Sequence, residues 1–308
     1  MISFRYQDKG TIIHRLNPMG KLAWVGSILV LALILNNPLF LLLLFLSTLP
    51  LVIAARVWRE WLSFMKLAMY LCIAIIIINA LVSSHGAHVL VEAPFRIPVV
   101  GAPVITLEAV LYGVGMSLRL LAIISAFAIL TFTVHPDDVM LAMMKMRLPY
   151  KSVLVTSLST RFIPTLIDDV ERITDVQRAR GLELDKGNLS NRIRSRAAVI
   201  IPLLSNSLDR AVQVAEAMES RAFGAGKKRT FYKGIGMSLV DTITVVFVLL
   251  PCALGVVMRL SGYGDYQYYP TLGGITLSNQ EWSLLVLLVL LLSAILLLAY
   301  VKGRVDLD

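Results

Sequence analysis

The chain has 308 residues, of which 57% are hydrophobic, with a mean hydropathy of +0.76 and a formal net charge of +9. Soluble domains are about 45–50% apolar, so the composition excludes an ordinary soluble protein and favours one that crosses a membrane several times. The positive charge does not indicate nucleic acid, because no run of Lys and Arg alternates with aromatic residues, and basic residues also collect on the cytoplasmic side of membranes.

The apolar blocks predict an all-α, polytopic membrane bundle of about six spans. The first block, residues 22–55, would form a helix about 50 Å long, whereas the hydrocarbon core of a bilayer is roughly 30 Å thick. Asn36-Asn37-Pro38 is a turn-forming tripeptide, so we expect two spans joined by a tight hairpin. Four further spans are predicted at residues 67–82, 107–134, 239–260 and 282–300. An interfacial stretch and two loops are expected at residues 56–66, 83–106 and 261–281.

The distribution of basic residues predicts the orientation of the spans. If the N-terminus is cytoplasmic, all of the 29 Lys and Arg residues except Arg96, Arg119 and Arg259 fall on inner segments. The opposite orientation would invert this split, contrary to the positive-inside rule. The chain then divides into a membrane domain of four spans, a cytoplasmic domain of helices and a C-terminal membrane part, at residues 1–134, 135–238 and 239–308.

The cytoplasmic stretch is predicted to contain two long amphipathic helices. In both, apolar residues recur at spacings of three and four, which is typical of one apolar stripe along a helix. The first stripe consists of Val155, Leu158, Phe162, Leu166, Val170, Ile173 and Val176. The second consists of Ile200, Leu204, Leu208, Val212, Ala215 and Met218.

These two helices form an approximate internal repeat. Ile163-Pro164-Thr165-Leu166 in the first is matched, 38 residues later, by Ile201-Pro202-Leu203-Leu204 in the second. The first helix then ends in Ala179-Arg180-Gly181 and the second in Ser220-Arg221-Ala222. A single end of this kind is explained by helix capping. Two matched ends instead suit the two equivalent grooves of a dimeric partner, because a guanidinium can pair with a carboxylate at two points.

Taken together, several strings of this sequence resemble the transmembrane T component of energy-coupling factor transporters, which import vitamins and metal ions. The string from His14 to Leu22 is similar to the opening signature of that family, although Asn17 stands where Asp is usual and Met19 where a basic residue is usual. Three later strings, which also match in order and spacing, are Arg161-Phe162-Ile163-Pro164, Gln177-Arg178-Ala179-Arg180-Gly181 and Ala217-Met218-Glu219-Ser220-Arg221-Ala222-Phe223-Gly224.

The resemblance implies a non-catalytic subunit of an ATP-driven importer in a bacterial or archaeal cell membrane. It implies that two ABC ATPase subunits bind the ATP, so that this chain needs no cofactor, and that a separate membrane S component binds the substrate. By residue match, Arg180 and Arg221 would dock into grooves on the two ATPases. The close-packed flanks of these arginines would be Ala179, Gly181, Ser220 and Ala222.

Arg119 is predicted to lie within the fourth span, where a charge is costly and usually functional. Glu108 lies roughly 16 Å away on the same helix and is therefore excluded as its direct partner. Asp241 or backbone carbonyl groups are the structural alternatives, and a place at the S-component interface is the functional one.

Other sites are disfavoured. Asp168, Asp169 and Asp175 could suggest the magnesium–diphosphate site of a membrane prenyltransferase, but Arg172 lies between them and is expected to pair with them locally. Residues 221–228 lack the phosphate-loop pattern G-x-x-x-x-G-K-[ST]. His85 and His88 could form a weak metal site, although an ordinary polar loop also explains them, so no metal site is predicted.

Two other transport functions remain as alternatives. A self-sufficient secondary transporter typically has inverted repeats and charges within its spans, whereas the repeat found here is cytoplasmic and only Arg119 is clearly charged within a span. An ordinary ABC permease half would carry one coupling helix in each chain, which does not account for two matched helices. The imported substrate is not predicted.

Overall fold

The computed structural model describes residues 9–83, 86–92, 104–145, 149–182, 189–226, 239–270, 272–274 and 277–305. The chain divides into two compact units. The bundle unit consists of Met1–Val139 and Gly236–Asp308, and the arm unit consists of Met140–Ile235. The assignment of the arm unit to the cytoplasm stays a prediction.

Ten α-helices and one β-ribbon make up the described residues, so the prediction of an all-α membrane protein is confirmed. The helices are α1 (Ile12–Arg15), α2 (Pro18–Ile34), α3 (Pro38–Ala54), α4 (Trp58–Val82), α5 (Leu107–Thr133), α6 (Pro136–Lys145), α7 (Tyr150–Ala179), α8 (Leu189–Ser220), α9 (Leu239–Leu260) and α10 (Asn279–Val305). The strands β1 (Val89–Glu92) and β2 (Val104–Thr106) pair in antiparallel fashion.

The predicted break at Asn36-Asn37-Pro38 is confirmed, and it follows from two similar helix starts. Asn17 caps α2 by accepting a hydrogen bond from the Met19 amide, and Asn37 caps α3 by accepting one from the Leu39 amide. In both helices the residue after the cap is proline, whose fixed φ suits a first helical position. The long apolar block therefore becomes two helices of 17 residues each.

The described helices include four, α4, α5, α9 and α10, that are long and apolar enough to cross a membrane. The apolar helices α2 and α3 are shorter, and 17 residues make about 26 Å of helix, slightly less than the thickness of a hydrocarbon core. All six predicted spans are thus apolar helices, and two of them lie near the lower limit of length.

α5 packs against α2, α3 and α4 at the centre of the bundle unit. Its buried positions are rich in small residues, including Gly113, Gly115, Ser117, Ala122, Ala126 and Ala128, which allow close helix packing. The hydroxyl of Ser125 lies 2.6 Å from that of Thr48 on α3 and accepts a hydrogen bond from the Trp61 indole on α4 at 2.9 Å. These buried bonds fix both neighbouring helices against α5.

Three local predictions differ from the structure. α4 begins at Trp58, nine residues before the predicted span at residues 67–82, while the interfacial location of residues 56–66 stays a prediction. The expected loop at residues 83–106 contains the β-ribbon, in which Val89 pairs with Thr106. The short helix α6 follows α5, where no separate helix was predicted.

The arm unit confirms the two long helices that the periodicity predicted. α7 and α8 pack side by side, with a hydrogen bond from Gln177 Nε2 to the Ala198 carbonyl at 3.3 Å. Further from the end of α7, Arg210 forms an ion pair with Asp169 at 2.8 Å. As residue numbers fall along α7 they rise along α8, so the two helices run antiparallel.

Candidate functional site

The end of α7 is closed by a Schellman motif, the hydrogen-bond pattern in which a left-handed residue satisfies the last helix carbonyls. The Gly181 amide donates to the Arg178 carbonyl at 2.9 Å, and the Leu182 amide donates to the Gln177 carbonyl at 3.0 Å. Gly181 has φ +85°, a conformation that glycine adopts without strain. Arg180 is therefore the C-cap residue, directly before the left-handed turn.

The end of α8 has the same motif at the equivalent positions. The Ala222 amide donates to the Glu219 carbonyl at 2.8 Å, and the Phe223 amide donates to the Met218 carbonyl at 2.9 Å. Ala222 takes the left-handed place with φ +54°, which is strained for a residue with a Cβ. Arg221 thus has the position at the end of α8 that Arg180 has at the end of α7.

Both arginines are exposed cations on a preformed turn. Ala179, Arg180 and Gly181 are all exposed, and so are Ser220, Arg221 and Ala222. Within the described part of the chain, the Arg180 and Arg221 guanidinium groups have no hydrogen-bond or ion-pair partner. The last carbonyls of each helix are occupied by the Schellman bonds, so the side chains are available for a partner molecule.

The two tips lie far apart within the arm unit. Gln177, three residues before Arg180, contacts Ala198 of α8. Arg221 follows Ala198 by 23 positions, which corresponds to roughly 35 Å along a helix. Two cations at this separation suit two distinct grooves better than one shared pocket.

The apolar stripes of the two arm helices remain partly uncovered in this chain. On α7, Val155 is 62% exposed and Val176 is 50% exposed. On α8, Ile200, Leu204 and Leu208 are 58–59% exposed. Contiguous exposed apolar surface of this kind is typical of a protein or membrane contact.

Arg119 lies midway along α5 and is held from inside the bundle unit. Its Nη2 donates to the Leu35 carbonyl at 3.1 Å and to Asn36 Oδ1 at 2.9 Å. A backbone carbonyl is thus one of the partners of Arg119, in agreement with the alternative that backbone carbonyl groups hold it. Its Nε atom is buried and has no hydrogen-bond partner in the described chain. A role for Arg119 at an S-component interface stays a prediction.

Asn36 connects Arg119 to two charged residues near the end of α9. Its Nδ2 donates to Asp265 Oδ1 at 3.1 Å, and Arg259 forms an ion pair with the same oxygen at 2.7 Å. The hydrogen bonds from Arg259 and Asn36 lower the pKa of Asp265 below its ordinary value. The resulting polar chain, Arg119–Asn36–Asp265–Arg259, links α5, the α2–α3 turn and α9.

The loop after α9 covers this polar chain. The Gly264 carbonyl accepts hydrogen bonds from the Asn36 and Asn37 amides, both at 3.2 Å. The Tyr268 hydroxyl donates to the Asn36 carbonyl at 2.9 Å, and its ring meets that of Tyr112 edge-on with centroids 5.3 Å apart. Burial raises the pKa of Tyr268 to about 12.

The acidic residues of α7 do not form a metal site. Asp169, which the sequence pairs with Arg172, instead binds Arg210 across the helix pair. In the described residues no group of three or more His, Cys, Asp or Glu side chains could hold a metal ion. The prenyltransferase interpretation therefore gains no structural support.

The remaining candidate motifs fall partly outside the described residues. His85, of the possible histidine pair, lies outside them, as do Lys227 and Lys228. His88 Nδ1 lies 2.8 Å from Oε1 of Glu108, which is buried at the start of α5. Glu108 thus serves the β-ribbon, consistent with its exclusion as a partner of Arg119.

Sequence reasoning missed the residues that surround Arg119. Asn36 was assigned only to the turn, and Asp265 and Tyr268 were assigned to a loop without a predicted role. One available signal was the pair Asn36-Asn37, since a helix start needs only one capping asparagine and the other is free for a different partner. The contacts to Asp265 and Tyr268 span more than 200 residues of sequence, and a single sequence gives no indication of them.

The chain is similar to a known protein family and to several transporter transmembrane proteins. A family model described as "CbiQ: Cobalt transport protein" matches residues 9–232. The chain is 30% identical to an energy-coupling factor transporter transmembrane protein EcfT of Staphylococcus aureus over 85% of this chain and 98% of the relative. It is 31% identical to the EcfT protein of Bacillus selenitireducens, over 84% and 97% of the two chains, and 32% identical to that of Streptococcus equi, over 81% and 93%.

Proposed function

Because the chain belongs to the CbiQ family, as a multi-pass transmembrane T component of energy-coupling factor transporters, we propose that it couples two ATPase subunits to a substrate-binding S component. ATP binding and hydrolysis by the ATPases move the arm helices, and this movement reorients the S component during uptake of a vitamin or a metal ion. The chain itself carries out no catalysis. Its N-terminus and its arm unit face the cytoplasm, where ATP is available.

The observation that carries this proposal is the equivalence of the two arm tips. Arg180 and Arg221 are both C-cap residues of Schellman motifs, both are exposed, and neither has a partner in the described chain. A homodimer or pseudo-symmetric pair of ATPases offers the same groove twice, and each groove would receive one tip. The guanidinium group can bind a groove carboxylate at two points, and the small flanking residues allow the helix end to approach the groove wall.

The exposed apolar stripes supply the second part of the proposal. Residues such as Val176 on α7 and Leu204 on α8 stay exposed in the isolated chain, and a membrane-embedded S component could cover them. Tips that bind the ATPases and stripes that bind the S component would place both partners on the same pair of helices. Movement at the tips would then reach the S component along two continuous helices.

Co-purification tests the docking of the ATPases. A tagged copy of the chain is purified in mild detergent from cells that express the complete transporter. The wild type is compared with the double variant Arg180→Ala/Arg221→Ala and with the control Arg172→Ala/Arg196→Ala, which removes two exposed arginines away from the tips. Truncating one partner of a desolvated charge pair costs about 2–5 kcal/mol, which weakens each contact by more than tenfold.

We expect the wild type and the control to retain two ATPase chains and a small membrane protein, and the tip variant to lose the ATPases alone. Loss of the ATPases from the control as well would mean that overall charge, not the tips, holds the complex. If the wild type retains no ATPase, the coupling function is wrong and a secondary transporter becomes the leading interpretation.

A further inference from the structure

Lys21 is a buried lysine whose ammonium group binds the end of another helix. It lies in the first turn of α2 and is only 6% exposed. Its Nζ donates to the Thr133 carbonyl at 2.7 Å and to the His14 carbonyl at 3.1 Å. Burying an ammonium group is unfavourable unless it is well paired, so a lysine at such a position in a membrane protein points to a specific role.

The Thr133 carbonyl is a suitable acceptor because Thr133 is the last residue of α5. The final carbonyls of a helix lack partners within the helix and carry partial negative charge. Thr133 itself is 1% exposed, so water does not solvate this carbonyl freely. Lys21 therefore satisfies the end of α5 both by hydrogen bonding and by charge.

α5 ends shortly before the chain leaves the bundle unit. Val134 is extended, with φ −121° and ψ 127°, and α6 begins at Pro136. The boundary with the arm unit follows at Val139. Residues 134–135 are thus the non-helical link between α5 and α6, the first helix on the path to the arm helices.

The local structure before Lys21 sets its position. Ile13 and Leu16 are buried in the core and anchor α1, while the Asn17 side chain starts α2 one turn before Lys21. The segment from His14 to Lys21 thus forms a short scaffold that directs one ammonium group at the end of α5.

We propose that Lys21 is a positioning residue for coupling, because it fixes the C-terminal end of α5 to α2 at the point where the chain passes towards the arm helices. With this end fixed, movement of the arms turns the chain at residues 134–135 and leaves the last turn of α5 in place. Without the Lys21 contact, part of the arm movement displaces α5 and does not turn the chain at residues 134–135. This inference rests on the coupling function proposed above.

Hydrogen exchange of the full chain in detergent tests the contact without any partner. Lys21→Met is compared with Lys9→Met, a matched control because Lys9 Nζ also donates to a backbone carbonyl, that of Arg56, at 2.9 Å. Hydrogen bonds to charged groups are strong, so loss of the Lys21 contact should speed exchange of the Val134 amide roughly 10- to 100-fold. The control should leave this rate unchanged, and equal rates in both variants would overturn the proposal.

A spin-label measurement in the ATPase complex tests the role in coupling. Labels replace Ile53 on α3 and Thr131 on α5, two exposed positions near the ends of their helices. In the otherwise wild-type complex, ATP should leave the distance between the labels unchanged. In Lys21→Met, ATP should broaden or shift it, while ATPase binding persists. No ATP-dependent difference between the two complexes would overturn the proposal.

Loss of ATPase binding and misfolding of Lys21→Met lead to different conclusions about Lys21. If the wild type binds no ATPase, the coupling function fails and the coupling role of Lys21 fails with it, whatever the exchange rates are. If Lys21→Met does not fold, Lys21→Gln is used instead, because its amide group keeps two N–H donors without the buried charge. Exchange of the Val134 amide should then be faster than in the wild type, because a neutral donor binds the helix end less strongly than an ammonium group, and a wild-type rate would contradict the proposal.

Discussion

Gly115 and Tyr268 provide a sharp test of how the loop after α9 packs on α5. A Cβ added at Gly115 would lie well under 3.0 Å from the Tyr268 hydroxyl oxygen and 3.1 Å from its Cζ. Tyr268 would have to move by roughly 1 Å, which would break the hydrogen bond that it donates to the Asn36 carbonyl. Gly115→Ala therefore combines overpacking with the loss of a hydrogen bond.

The expected loss of unfolding free energy in Gly115→Ala has three contributions. Overpacking typically costs about 1–3 kcal/mol, and the lost hydrogen bond costs about 1 kcal/mol. The change from Gly to Ala within a helix returns about 0.5–1 kcal/mol. We expect Gly115→Ala to lower the free energy of unfolding by about 1–3 kcal/mol on these terms.

A double-mutant cycle isolates the clash. Tyr268→Phe removes the oxygen that an added Cβ would meet most closely and leaves Cζ at 3.1 Å, which needs only a small shift. In the Tyr268→Phe background, Gly115→Ala should therefore cost less than about 1 kcal/mol. The four proteins are compared by unfolding in detergent, with Gly26→Ala as a control, because nothing lies within 4 Å of a Cβ at Gly26. An equal loss from Gly115→Ala in both backgrounds would refute the packing of Tyr268 on Gly115.

Three further predictions concern the arm tips, the loop after α9 and the pair of arm helices. Ala222→Gly should stabilise the end of α8 by about 1 kcal/mol, because glycine adopts the left-handed φ without strain. Gly181→Ala should destabilise the end of α7 by a similar amount. Hydrogen exchange at the two turns measures both effects. The pKa of Tyr268 is raised from 10 to about 12, so between these pH values the folded chain keeps a proton that the unfolded chain loses. The free energy of unfolding should therefore be unaffected below pH 10 and fall as the pH rises towards 12. When unfolding is measured against pH, this fall should be smaller in Tyr268→Phe. Asp169→Asn should lower arm-unit stability by about 1 kcal/mol or less, because its partly exposed pair with Arg210 is screened by water, and a loss of several kcal/mol in thermal unfolding would contradict this.

Most of the helices could be predicted because their signals are local. Apolar runs locate α3, α5, α9 and α10, and the three- and four-residue spacing locates α7 and α8. The turn at Asn36-Asn37-Pro38 was predictable because it contains its own capping and proline signals. The start of α4 was not, since Arg59 and Glu60 lower the hydropathy there while the helix continues; Lys9 pairs with Glu60 at 2.7 Å, and Trp61 binds Ser125.

In the candidate site too, features with a local sequence signal could be predicted and features set by distant contacts could not. The arginine at the end of α7 could be predicted as a helix end because Gly181 marks a left-handed cap. The matching conformation of Ala222 could not, since alanine rarely takes a positive φ and only the repeat suggested the equivalence. The partners of Arg119 depend on contacts between distant segments, and the pairing of Lys21 with Thr133 spans 112 residues, so neither could come from local patterns.

The central claim, that one copy of this chain engages two ATPase subunits through two equivalent tips, is tested most directly by native mass spectrometry of the purified complex. We predict a mass corresponding to one copy of this chain, two ATPase chains and one small membrane protein, and for Arg180→Ala/Arg221→Ala a species without the ATPases. A stable wild-type species with a single ATPase for each copy of this chain, or with none, would contradict the account.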